Sequence, residues 1–204
     1  SRGLGDVYKR QQGDNGYSRK GSEQSNASYY YSISKLDTSG TIRIKDKVYS
    51  VSGNSWMDRE WSTSALSENQ IGWDWFALQL NNNHELMYYQ MLLSDLSADE
   101  MSEGIIINPA AETSPLSSDD VAIQNLDYWI SPSGTSYPVK WSMKIPTYST
   151  ELTITALIPN QEMTTSIKYW EGAVRIEGIY LGKPTSGYGY VESTRSTNNN
   201  LSTR

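Results

Sequence analysis

From Thr41 to Glu192 the chain alternates apolar and polar residues with a period of two almost everywhere, and no stretch keeps a helical period for three turns. Val139, Trp141, Met143 and Ile145 fall on one face of an extended segment and Lys140, Ser142 and Lys144 on the other. The segment Glu151 to Ile158 repeats this, with Leu152, Ile154, Ala156 and Ile158 inward and Pro146 to Thr150 as the connecting turn. Thr41 to Ile44 and Val48 to Val51 flank Lys45-Asp46-Lys47 as a hairpin. Trp73 to Leu80 and Glu85 to Leu92 flank Asn81-Asn82-Asn83, where asparagine tolerates positive φ. Further strands are expected at 104–108, 126–131, 166–170, 174–180 and 188–192. Nine or ten short strands of this kind predict an all-β fold, an antiparallel barrel or sandwich whose closure removes sheet edges. A barrel of eight to ten strands has an interior that holds one small ligand.

The ends carry a different signal. Residues 1–11 show no apolar period and resemble translated adapter sequence, so they are set apart from the fold. Residues 12–27 read as a linker or the remnant of a preceding barrel, 28–193 as the barrel, and 194–204 as a disordered Ser/Thr/Asn tail. A chain of this length buries roughly 70% of its unfolded surface, enough for a real core.

Composition narrows the chemistry. With 17 basic against 23 acidic residues the net charge is −6, which speaks against nucleic acid or an anionic membrane as partner. No apolar run reaches the length of a membrane-spanning helix. There is no cysteine and one histidine, His84, so thiolate chemistry, a Ser-His-Asp set and the usual zinc spacings are excluded, and no cofactor is expected. His84 itself reads as a solvated residue beside the Asn turn. The 15 Tyr and 7 Trp against one Phe suit a half-buried sheet or a cavity with a wet rim.

Four segments interleave charge with aromatic rings. In Trp56-Met57-Asp58-Arg59-Glu60-Trp61, an extended backbone puts Trp56, Asp58 and Glu60 on one face and Met57, Arg59 and Trp61 on the other. Either face carries charge inward, where it needs a partner. Arg59 with Trp61 then offers a cation and an aromatic wall to a ligand, or an ion pair tying the wall together. Trp73-Asp74-Trp75 places both indoles on one face and the carboxylate on the other; held against rings, Asp74 would have a raised pKa and could serve as a general acid. Tyr88-Tyr89-Gln90 and Tyr169-Trp170-Glu171 add hydroxyl, amide and acid groups, with Glu171 an alternative partner for Arg59. The candidate catalytic residues are Asp58, Glu60 and Asp74. The candidate ligand-binding residues are Arg59, Trp61, Trp73, Trp75, Tyr88, Gln90, Trp170 and Glu171.

Five ordered blocks, Gly53 to Trp61, Gly72 to Leu80, Tyr128 to Gly134 followed by Tyr137-Pro138 and Trp141, Tyr169 to Gly172, and Gly187 to Glu192, resemble the AttH-like family, which is related to carotenoid 1,2-hydratases. The resemblance covers about residues 29–192 and implies a lipocalin-like barrel, the second of two, whose partner is a missing N-terminal barrel of the same chain. It implies a hydrophobic isoprenoid or polyene-like small molecule as ligand, protonation of a double bond followed by capture of water, and a secreted or cell-envelope location. Where the hydratases carry His-x-Trp this chain has Arg59-Glu60-Trp61, and where they carry Tyr-x-Asp it has Tyr88-Tyr89-Gln90. Arginine and glutamine exchange no proton at ordinary pH, so the enzyme readings are a hydratase with Asp58, Glu60 or Asp74 as the acid, or an isomerase or cyclase that holds a flexible polyene in a reactive shape and needs no acid. The alternative is a carrier module that uses the same cavity without chemistry.

Overall fold

The computed structural model describes residues 9–23, 25–62, 66–165 and 168–195, and fourteen strands run through them. A small sheet holds β1 (Lys9–Gln11), β2 (Tyr17–Arg19), β3 (Ala27–Ile44) and β4 (Lys47–Ser62). β4 follows β3 along one edge, while β1 and β2 pair with β3 at Tyr31 to Ile33 and Ala27 to Tyr29. A large sheet holds β5 (Gln70–Leu80), β6 (Glu85–Leu93), β7 (Glu103–Ile107), β8 (Thr113–Ser117), β9 (Ala122–Ile130), β10 (Ser136–Ile145), β11 (Thr150–Ala156), β12 (Glu162–Thr164), β13 (Lys168–Tyr180) and β14 (Lys183–Arg195). Its order is β8-β7-β6-β5-β14-β13-β11-β10-β9, antiparallel throughout, with β12 on β13.

The all-β antiparallel fold predicted from the period is the fold observed. The large sheet curls so that Leu116 of β8, Phe76 of β5, Trp141 of β10 and Trp170 of β13 share one core. It stays open, since β8 and β9 end it and do not pair with each other among the described residues. The interior expected to hold a ligand is filled: Trp141, Trp170, Tyr88, Tyr137, Phe76 and Met143 are fully buried there. Large rings were available for that role, and packed against one another they make the lumen a hydrophobic core.

The outer face of the sheet divides. Over β10 and β11 it meets solvent, with Lys144 and Glu151 paired at 2.9 Å. Over β5 to β7 it is covered by the small sheet, and Met87, Tyr89, Met91, Ile105 and Ile107 pack against Tyr30 of β3. β6 is therefore buried on both faces, which explains its near-continuous apolar run.

Several expectations change. Lys9–Gln11 and Tyr17–Arg19 form strands within segments set apart as adapter or linker, and Thr194 and Arg195 complete β14. Residues 1–8 and 196–204 lie outside the described residues, as do Ser166 and Ile167 of the strand expected at 166–170. From Lys168 that strand runs without a break into the one expected at 174–180. Ile158, expected inward, is 56% exposed because β11 ends at Ala156 and the chain turns toward Pro159. His84 is not simply solvated: its ring lies 4.9 Å from that of Tyr180. Among the described residues no helix is long and apolar enough to cross a membrane.

Candidate active site between the two sheets

β4 and β5 face each other across the gap between the sheets. On β4 the alternation turns Trp56 and Asp58 toward β5, and on β5 it turns Trp73 and Trp75 toward β4. The two indoles Trp56 and Trp75 meet edge to face at 6.3 Å. Asp58 accepts hydrogen bonds from Trp56 Nε1 at 2.7 Å and from the Tyr30 hydroxyl at 2.9 Å, and that hydroxyl accepts one from Trp75 Nε1 at 2.9 Å. Burial raises the Asp58 carboxyl above the usual aspartate range, while its hydrogen bonds from Ser32, Trp56 and Tyr30 pull it back. Burial also pushes the Tyr30 phenol well above its ordinary value.

A third acid enters from β14. Glu192 stands opposite Trp75 in the register and accepts a hydrogen bond from Trp73 Nε1 at 2.7 Å. Burial lifts its carboxyl from the ordinary 4.5 to about 7, opposed by that indole N–H and reinforced by the charges of Glu171, Glu60 and Asp58. A cleft of about 550 Å³ opens here, lined by Trp56, Asp58, Trp75, Tyr188, Tyr190 and Glu192 among others. On the other side of Trp75 lies a smaller recess of about 120 Å³, bounded by Lys20, Tyr30, Glu60, Trp73, Tyr89 and Met91. Lys20 Nζ sits 3.1 Å from Glu60 Oε1 and 3.5 Å from the centroid of the Tyr89 ring. Glu60 also accepts a hydrogen bond from the Ser28 hydroxyl.

Of the residues singled out in the sequence, Asp58, Glu60, Trp73 and Trp75 come together at this site. Arg59 and Trp61 do not: the period of two puts them on the opposite, exposed face of β4, where Trp61 stacks against Tyr29 at 5.8 Å. That face can stay outward because the inward carboxylates already have Lys20, Ser28, Ser32 and Tyr30 as partners. Asp74 is fully buried on the lumen side, bound by Arg195 at 2.9 Å and by the Ser193 hydroxyl, which makes it a structural ion pair remote from the cleft. Tyr88 and Gln90 share that lumen face, and Trp170 donates its Nε1 to the Pro159 carbonyl at 2.7 Å inside the core. Glu171 lies on the outer face, 3.5 Å from the Tyr190 hydroxyl, and adds charge near Glu192 rather than pairing with Arg59.

Sequence reading missed Glu192, Tyr30, Lys20 and Tyr89. The alternation of β6 sets Tyr89 on the face opposite Tyr88, so the run Tyr88-Tyr89 held one residue for each side. Glu192 stood at the end of a recognised block, yet its environment comes from Trp73, 119 positions away. Among the described residues no group of three acidic or histidine side chains has the arrangement to hold a metal ion.

The AttH-like family model matches residues 9–195. Among curated proteins the chain is similar to the dehydratase asqC of Emericella nidulans, 25% identical over 148 residues that cover 68% of this chain and 41% of that protein. It is also similar to the kievitone hydratase of Fusarium solani subsp. phaseoli, 25% identical over 141 residues that cover 68% of this chain and 39% of that protein. The chain thus spans about two-fifths of the length of these curated relatives. Among solved structures, one from Nitrosomonas europaea described as an AttH superposes with a TM-score of 0.82 at 34% identity, over 91% of this chain and 57% of that one. Kievitone hydratase from Nectria haematococca superposes with a TM-score of 0.77 at 19% identity, over 93% and 58%, a likeness of fold alone. A match that runs through all but the first eight and last nine residues, and takes in every strand that builds the cleft, places this chain in the AttH-like family.

Proposed function

We propose that the cleft adds water to, or removes it from, a carbon–carbon double bond of an apolar small molecule of isoprenoid or polyene type. The observation that carries this reading is Glu192, a carboxyl whose pKa of about 7 lets it hold or release a proton near neutrality, set in a cleft walled by Trp56, Trp75 and Tyr190. In hydration, protonated Glu192 delivers its proton to one alkene carbon and becomes a carboxylate. The aromatic faces stabilise the carbocation left on the other carbon. Water attacks that carbon, and the Asp58 carboxylate takes the proton that the water loses. Dehydration is the same path reversed. The two curated relatives are named for a dehydration and a hydration, which supports water as the co-substrate.

The test is incubation of the chain with a panel of terminal isoprenoid polyenes in ¹⁸O-labelled water, read by mass spectrometry for a labelled hydroxyl. Glu192→Gln and Asp58→Asn are each expected to slow incorporation by about 100-fold or more. The hydration rate should fall as pH rises through about 7, because the proton donor is lost. Binding of polyenes with no label incorporated would overturn the reading in favour of a carrier.

A further inference from the structure

The recess behind Trp75 contains a charged group that the hydration reading leaves without a task. Lys20 is only 8% exposed, although it sits on the short loop that follows β2. An ammonium has three N–H donors. One meets Glu60 Oε1 at 3.1 Å and a second faces the Tyr89 ring at 3.5 Å. The Tyr30 ring stands further off, 5.2 Å from Nζ to its centroid, and among the described residues Glu60 is the one hydrogen-bond acceptor Nζ has, so a third donor is left for whatever enters the recess. Burial of an amine is costly, and its pKa is lowered accordingly, with Glu60 offsetting part of the effect.

From this juxtaposition of a buried ammonium with a spare donor and an aromatic recess opening beside the cleft, we infer that Lys20 is the anchor for a neutral carbonyl oxygen at one end of the substrate, and so a specificity-determining residue. This rests on reading the cleft as the substrate site. The recess of about 120 Å³ is well above the roughly 10–15 Å³ that a single water needs, and it admits a ketone with a short alkyl end. The charges around it select among oxygen-bearing heads. Glu60, Glu103 and Asp58 all act on Lys20, so the surroundings are net negative and a carboxylate or phosphate head is repelled. A cationic head is refused as well, because Lys20 already occupies the ring face that would attract it. A neutral acceptor remains.

The test is isothermal titration calorimetry of the chain with three probes: β-ionone, the matched hydrocarbon with a methylene in place of the ketone, and the matched carboxylic acid. The ketone is expected to bind about tenfold tighter than the hydrocarbon, and tighter than the acid. Lys20→Met should abolish the preference while changing hydrocarbon affinity less than about twofold. Because that variant leaves Glu60 without its cation, the double variant Lys20→Met/Glu60→Gln provides a second reading with the same expected result. A preference that survives both variants, tighter binding of the acid, or no binding of ketone and hydrocarbon alike overturns the inference. Turnover unaffected by Glu192→Gln, with the ketone preference still dependent on Lys20, would retire the hydration reading alone. Turnover that needs Glu192, with a ketone preference indifferent to Lys20, would retire the anchor alone.

Discussion

A carboxyl held at a raised pKa has a signature in stability as well as in catalysis. Between about 4.5 and about 7 the folded chain keeps a proton on Glu192 that the unfolded chain has released, so this residue's contribution to stability falls as pH rises through that window and stays low above it. The shift corresponds to on the order of 3 kcal/mol at most. Glu192→Gln, whose amide oxygen can still accept from Trp73, is therefore expected to leave stability at pH 4 unchanged and to raise it by about 1–3 kcal/mol at pH 8, measured by urea denaturation. Residues at this scale are also where the sequence was least informative. Asp58 and Asp74 look alike on paper, each a carboxylate within two positions of a tryptophan. What separates them is the strand across from each: Ser32 and Tyr30 with their hydroxyls for Asp58, and Ser193 and Arg195 for Asp74. The period of two places a side chain on a face, but it does not say which distant residue arrives opposite.

Elements held together by local turns were the legible ones. The hairpins β5–β6 and β10–β11 follow from apolar alternation on either side of a short turn, with Asn83 at φ 62° and Ser149 at φ 45° where the chain reverses. β3 was legible only at its tip, because the buried face of its inner half is Ser28, Tyr30, Ser32 and Ser34, without an aliphatic side chain, closed off by β1 and β2 on its edge and by β6 beneath it. β13 was expected as two strands, at 166–170 and 174–180, and the gap between them holds Gly172, a residue type that often interrupts a strand. The structure gives that glycine another reason: a Cβ there would lie 2.5 Å from the Trp170 ring, which folds over the backbone inside the core. Gly172→Ala must displace a fully buried indole and is expected to cost about 1–3 kcal/mol, seen as a lowered midpoint in thermal or denaturant unfolding without a change in strand content.

For the whole molecule, the expectation was a ligand inside the barrel, and which side of the strands is free to take one turns on where the large rings pack. The rings decided it. The lumen took Trp141, Trp170, Phe76, Tyr88 and Tyr137 and became the core, while the face carrying Trp73, Trp75, Glu192 and Tyr190 became one wall of a cleft completed by β4 of the other sheet. Under the proposed function, stability and ligand binding belong to opposite sides of the same strands. Trp141→Ala is expected to cost about 3–5 kcal/mol with ligand affinity of the surviving folded fraction unchanged, whereas Trp75→Ala should weaken ligand binding at a smaller cost in stability; calorimetry and denaturation on the same samples separate the two. The edge-to-face pair Trp56–Trp75 has one indole on each sheet. Coupled indoles at that spacing split each other's electronic transitions, giving a paired positive and negative band in circular dichroism, and Trp56→Phe should remove this pair's share of it while the share of the core pair Trp141–Trp170, at 5.8 Å, and the strand signal persist. The pair is in effect a built-in optical ruler across the cleft, and a ligand that wedges the sheets apart would report its own arrival by dimming it.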